Sequence, residues 1–81
     1  MKLIPTHTKT ARAALGMTQA ELARAAGVDE NTIQFFESGR TVPREETLRR
    51  IQDALEQRGI IFHNGDKPGV TFDRSKAIIP S

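Results

Sequence analysis

The clearest pattern in the chain is an apolar stripe in its second half. Leu48, Ile51 and Leu55 recur at spacings of three and four residues, which places them on one side of a helix. Pro43 precedes the stripe and Gly59 follows it, and these residue types are typical of helix starts and helix ends. The pattern therefore predicts an amphipathic helix, the fourth along the chain.

A short alanine-rich segment predicts the first helix. It spans residues 9–15 and ends at Gly16, a residue type that commonly closes helices in the left-handed conformation. A polar lead-in at residues 6–8 comes before it, and we expect this lead-in to lie outside the helix.

Two more helices are predicted from capping signals. Thr18 and Glu21 form a capping box, in which the threonine accepts from the third backbone N–H and the glutamate reaches back to the cap. The helix that they start ends before Gly27. Asp29 can cap the third helix, because its carboxylate can accept from free N–H groups at the positive end of the helix dipole. We expect this helix to end near residues 38–39.

The pattern changes after Gly59, where β-branched and aromatic residues replace the helical spacing. Residues 60–62 and 70–72 flank a stretch that contains two glycines and a proline, which predicts a β-hairpin. Alternation places Ile60 and Phe62 on one face. We expect this apolar face to cover the fourth helix or a second subunit, because a lone hairpin is marginal in water.

Length and composition restrict the possible functions. With 81 residues and 9.0 kDa, the chain has room for one small domain with a modest core. The absence of cysteine excludes disulfides, thiol catalysis and thiolate zinc sites. No apolar run approaches a membrane span and no signal peptide is evident, so we expect a cytoplasmic protein. A net charge of +2 gives only weak overall attraction to nucleic acid, so the distribution of charge must decide.

The second and third helices carry a spacing that predicts a helix-turn-helix. A short turn joins them, and Ala23, Gly27, Ile33 and Phe36 fall at separations of four, six and three. A small residue at position 23 lets two helix backbones cross closely, and Gly27 can take the left-handed conformation that a tight turn needs. Ile33 and Phe36 then point into the core.

Longer motifs make the resemblance to a known family specific. They are Met17-Thr18-Gln19-Ala20-Glu21-Leu22-Ala23, Gly27-Val28, Thr32-Ile33, Glu37-Ser38-Gly39-Arg40 and Pro43. Across residues 8–58 the chain resembles the phage-repressor or XRE class of helix-turn-helix domains. The resemblance implies a mainly α, lambda-repressor-like bundle of four to five helices. We expect this domain at residues 1–58, a C-terminal β-hairpin at 59–74 and a tail at 75–81.

The resemblance implies a DNA-binding surface on the third helix. In such domains this helix enters the major groove, and its first residues together with one a turn later face the base edges. Here these residues are Glu30, Asn31, Thr32 and Phe35. Asn31 can pair with adenine, Glu30 can accept from cytosine N4, and Phe35 can press against a thymine methyl.

Further roles are implied around this helix. Gln19, at the start of the second helix, matches a position that touches a phosphate or an outer base. Positions that contact the DNA backbone are matched by Ser38, Arg40, Thr41 and Arg44. Arg12 and Glu37 match a structural ion pair that ties the first helix to the third.

Other candidate chemistry is absent or structural. The apolar helix positions expected in the core are Leu15, Leu22, Ile33, Phe36, Leu48, Ile51 and Leu55. His7 and His63 have no third ligand or carboxylate at metal spacing, so we expect exposed or loosely satisfied side chains and no metal site. No nucleophile, base and orienting group can be assembled, which argues against an enzyme, and no cofactor is implied.

Two functions remain open. The first is a small transcriptional regulator, such as a repressor, that binds a specific duplex site as a homodimer, since two-fold operators match two-fold proteins. The second is a protein-interaction module, antiactivator or antitoxin-like, that occupies another regulator with its third helix. The acids Asp29, Glu30 and Glu37, with no lysine or arginine between them, weaken attraction to phosphate, and Phe35 resembles a protein-binding residue.

Overall fold

The structure, a computed structural model, describes residues 2–63 and 69–72. These residues form four helices and two antiparallel strands: α1 (Pro5–Leu15), α2 (Gln19–Ala26), α3 (Glu30–Glu37), α4 (Glu45–Glu56), β1 (Ile60–His63) and β2 (Gly69–Phe72). The predicted mainly α fold with a C-terminal hairpin is confirmed. The turn between the strands and the predicted tail at 75–81 lie outside the described residues. Within the described part of the chain, no helix is long and apolar enough to cross a membrane.

Both predicted caps are present. Thr18 Oγ1 accepts from the Glu21 N–H at 3.0 Å, and a Glu21 carboxylate oxygen accepts from the Thr18 N–H at 2.9 Å. At the start of α3, a carboxylate oxygen of Asp29 accepts from the Asn31 N–H at 2.8 Å. Gly27 closes α2 with a φ of +71°, in the left-handed region that the turn requires. These local signals are therefore confirmed.

The first helix begins earlier than the sequence pattern predicts. α1 starts at Pro5 and not at Lys9, so the lead-in at residues 6–8 is helical. Proline suits the first helical position, because its missing N–H needs no partner there. The His7 imidazole completes this start, since its Nδ1 accepts from the Ile4 N–H at 3.1 Å. The expectation was wrong because no conventional polar cap precedes the proline, and His7 supplies a cap from within the helix.

One core joins the four helices to the hairpin. Its buried apolar side chains are Leu3, Ala11, Leu22, Ala23, Ala26, Ile33, Phe36, Leu48, Ile51, Ala54, Leu55 and Ile60. All the residues predicted in the core are among them except Leu15, which is partly buried and packs against the edge of the cluster. Ala23 is buried, and α2 packs against α3, as the spacing predicts.

The predicted hairpin is present and packs against two helices. Ile60 lies opposite Phe72, and Phe62 lies opposite Val70. β1 contacts α4, as expected, and β2 lies against α1, which the sequence did not predict. Burial declines across the hairpin, from Ile60 at 2% exposed to Phe72 at 38%. The hairpin therefore covers one end of the helical core.

His7 is only 3% exposed, so of the two expected alternatives the exposed side chain is excluded and the loosely satisfied one holds. Its ring meets the Phe62 ring edge to face, with the centroids 5.5 Å apart. Among the described residues, no polar atom lies within hydrogen-bond distance of its Nε2. Burial lowers the pKa of His7 below its usual value, since a charged imidazolium would lose its water there. His63 is exposed, as expected, and lies 2.6 Å from Thr71 Oγ1.

Candidate nucleic-acid interface

The outer side of α3 carries a row of accessible side chains. The opposite side of this helix is held in the core, and an α-helix advances about 100° per residue, so intervening positions face outward. Glu30 and Asn31 are exposed, and Thr32 and Phe35 are partly buried. The four residues predicted to face base edges therefore lie on the accessible side of α3.

The chain turns back sharply where α3 ends. Gly39 has a φ of +78°, a conformation that favours glycine. The Phe35 carbonyl accepts three hydrogen bonds: from the Arg40 N–H at 2.9 Å, the Thr41 N–H at 3.4 Å and Ser38 Oγ at 3.1 Å. The turn thereby returns the Arg40 guanidinium over the Phe35 ring, with its central carbon 5.3 Å from the ring centre.

A groove of about 620 Å³ lies between α3 and the segment that leads into α4. The predicted site residues on its wall are Asn31, Thr32, Phe35, Thr41 and Arg44. Val42 also lines the groove and is 69% exposed, although no pattern singled it out. Val42 is an aliphatic residue in a short loop before Pro43, and this signal could have identified it as a candidate site residue. The groove combines hydrogen-bonding, cationic and apolar groups.

A second cluster ties α1, α2 and α3 together. Arg12 and Glu37 form the ion pair that the resemblance implies, with Nε 2.8 Å from Oε2 and Nη2 2.6 Å from Oε1. Arg12 Nη1 also donates to the Met17 carbonyl at 2.9 Å. The Gln19 side-chain amide donates to Glu37 Oε1 at 3.2 Å. Gln19, which the resemblance assigns to a phosphate or an outer base, is thus bound to this cluster and does not line the α3 groove.

Glu37 is charged although only 2% of its side chain is exposed. Burial by itself would raise its pKa, but hydrogen bonds from Arg12 and Gln19 and the charge of Arg12 outweigh burial, and the pKa lies below its usual value. The hydrogen bond to Glu37 raises the pKa of Arg12 in turn. The negative charge of Glu37 is therefore paired inside the fold and is not presented to a partner.

The two packed helices with their short turn match a known family. A family model described as Helix-turn-helix matches residues 9–58. The chain belongs to the XRE-type helix-turn-helix family. The match covers α2, α3, α4 and most of α1, and the hairpin lies beyond it. No curated protein matches the chain.

In this helix-turn-helix protein, the charged side chains next to α3 include both acids and arginines. From Asp29 to Glu37 the sequence contains no lysine or arginine. Because Glu37 is paired with Arg12, the accessible acids are Asp29 and Glu30, at the start of the helix. Arg40 and Arg44, both exposed, follow its end. Asp29 lines the same groove as Arg44, so the candidate interface carries both acidic and cationic side chains.

Proposed function

We propose that the chain is a transcriptional regulator that binds a specific duplex DNA site through the outer side of α3. The observation that carries this proposal is the exposure of Asn31 and the partial exposure of Phe35 beside a groove that also holds Arg44. An α-helix fits the major groove of B-DNA, which is about 12 Å wide. Membership of the helix-turn-helix family supports the same surface, since the second helix of the motif reads base edges in such proteins.

Base contacts are assigned to the outward residues of α3. Asn31 can form two hydrogen bonds with adenine, and Glu30 can accept one from cytosine N4. The Phe35 ring can press against a thymine methyl. Contacts to the DNA backbone are assigned to the donors that follow, namely Ser38, Arg40, Thr41 and Arg44, all of which are exposed.

We further propose that two copies bind one site and that no catalysis is involved. A two-fold operator presents two half-sites about 34–36 Å apart, and each half-site accepts one copy of α3. Sedimentation of the protein mixed with its duplex measures this stoichiometry. Two copies for each duplex are expected, and a stable complex of one copy would contradict the dimer.

An anisotropy titration against the DNA upstream of the protein's own gene tests DNA binding. We expect specific binding that weakens steeply between two salt concentrations, because phosphate contacts release counterions. Arg44→Ala should weaken binding to every sequence and lower the salt slope by about one. Asn31→Ala should instead reduce discrimination at one base pair by about 1–3 kcal/mol. Arg50→Ala, at an exposed position of α4, is the matched control and should change neither property.

A second candidate function is a protein-interaction module, antiactivator or antitoxin-like, that occupies another regulator. The acidic start of α3 favours it, because Asp29 and Glu30 repel phosphate and attract a basic partner. Phe35 and Val42 add apolar surface within one groove, and aromatic residues ringed by polar groups commonly dominate protein interfaces.

Glu30→Lys separates the two functions. If DNA is the target, the wild-type protein binds duplex at low salt, and the variant binds random-sequence duplex more tightly. If a basic protein is the target, the wild-type protein shows no DNA binding at low salt, and the variant gains DNA binding while it loses the partner. Phe35→Ala should then cost more than about 2 kcal/mol of partner affinity.

A further inference from the structure

The positively charged side chain of Arg40 lies over Phe35 on the outer side of α3, although Arg40 itself follows the helix. No residue from Asp29 to Glu37 is a lysine or arginine, so α3 itself offers no positive side chain to a phosphate. Arg40 comes from the turn that follows, and its guanidinium carbon lies 5.3 Å from the centre of the Phe35 ring. The ring and the cation therefore form one surface at the end of α3.

The backbone fixes the start of the Arg40 side chain, and the ring limits where the side chain can go. The Arg40 N–H donates to the Phe35 carbonyl at 2.9 Å, so the two residues are also joined through the main chain. An exposed arginine loses considerable rotamer freedom when it binds, and a cation–π contact made beforehand reduces that loss. A guanidinium that stacks on a ring face keeps its N–H edge available to donate.

We propose that Phe35 is a positioning residue for Arg40, which donates to a DNA phosphate from its position over the ring. The inference rests on the proposed DNA binding. It assigns to Phe35 a role that differs from direct contact with a thymine methyl, since the ring acts through Arg40. An exposed cation–π contact corresponds to about a 2–5-fold change in affinity.

A double-mutant cycle measured by anisotropy tests the proposal, using a duplex that the wild-type protein selects from a random-sequence library. Phe35→Ala should weaken binding about 2–5-fold. Phe35→Leu keeps apolar area without a ring and should weaken binding equally, whereas Phe35→Trp should restore it. In the Arg40→Ala background, Phe35→Ala should have no further effect. In the Arg44→Ala background it should keep its full effect, because Arg44 is not stacked on the ring.

The outcomes separate the inference from the function on which it rests. Wild-type DNA affinity in Phe35→Leu would overturn the positioning role while DNA binding stands. The same would follow if Phe35→Ala lowered DNA affinity equally in the wild-type and Arg40→Ala backgrounds. A wild-type protein that binds no duplex at low salt would overturn both. Arg40→Ala should weaken binding to the selected duplex and to a random-sequence pool alike, and a loss confined to the selected duplex would overturn the phosphate contact. Thermal melts show whether each variant is folded. If Phe35→Ala unfolds, Phe35→Leu replaces it in the double-mutant cycle.

Discussion

Two neighbouring phenylalanines lie on the inner and outer sides of α3 and have different roles. Phe36 is 1% exposed and belongs to the core, whereas Phe35 is partly exposed and lies under Arg40. A rotation of about 100° separates the two positions. The comparison shows that the direction of a side chain relative to the core, and not its residue type, decides its role. Pairs of identical residues, one inside and one outside, therefore provide matched controls for each prediction below.

Phe36→Ala should have the largest effect on stability. Deleting a buried phenylalanine typically costs about 3–5 kcal/mol, a large share of the roughly 5–15 kcal/mol that stabilises most domains. Phe35→Ala should cost less than about 1 kcal/mol, because its ring is already partly in water. Urea unfolding of both variants measures the difference. Equal losses would mean that α3 is rotated relative to the core, and the comparison would fail.

The two glutamates of α3 extend the comparison to charge. Glu37→Ala should lower the free energy of unfolding by about 3 kcal/mol, because it leaves the Arg12 guanidinium without its bidentate partner inside the fold. Glu30→Ala removes an exposed carboxylate and should change it by less than about 0.5 kcal/mol. If the unfolding curves of the two variants coincide, the ion pair between Arg12 and Glu37 does not stabilise the protein.

The hairpin offers a second pair of phenylalanines. Phe62→Ala should cost about 1–2 kcal/mol, since the ring is partly buried and packs against His7. Phe72→Ala should cost less, because this ring is 38% exposed at the other end of the sheet. Melting temperatures rank the two variants. A lower melting temperature for Phe72→Ala would show that Phe72, and not the contact of Phe62 with His7, holds the hairpin in place.

Comparison of the two histidines leads to the smallest expected effect, a dependence of the free energy of unfolding on pH. The unfolded chain binds a proton at His7 near the ordinary pKa of 6.5, whereas burial lowers the pKa in the fold. Acidification from about pH 7.5 to 5.5 therefore favours the unfolded chain, and the free energy of unfolding should fall. His7→Gln should flatten this dependence, and His63→Gln, at an exposed position, should leave it unchanged. An unaltered slope in His7→Gln would show that His7 does not titrate on unfolding.

Most of the fold could be predicted because its signals are local. The caps at Thr18 and Asp29 each depend on a residue at most three positions away, and both are present. The hairpin could be predicted from two β-branched and aromatic segments around a turn. The pair of Arg12 and Glu37 spans 25 positions, and only the family resemblance predicted it, since no local rule joins two such residues.

The contacts that escaped prediction depend on tertiary structure. The buried His7 ring meets Phe62 of the hairpin, a residue 55 positions away, so no local pattern indicates this contact. Arg40 lies over Phe35 after the chain reverses at Gly39, and sequence spacing does not specify this reversal. Gln19 could be placed at the start of α2, but its hydrogen bond to Glu37 depends on how the helices cross. Local patterns thus predict where the site lies better than they predict which of its side chains are free to bind.

The most direct test of the central claim, that DNA binds the outer side of α3 and the turn after it, is an amide chemical-shift map. Isotope-labelled protein would be titrated at low salt with the duplex that it selects. We predict the largest changes at Asn31, Thr32 and Phe35 and across residues 38–44, with the strands of the hairpin unaffected. Changes concentrated on the hairpin, or no change anywhere at low salt, would contradict the claim.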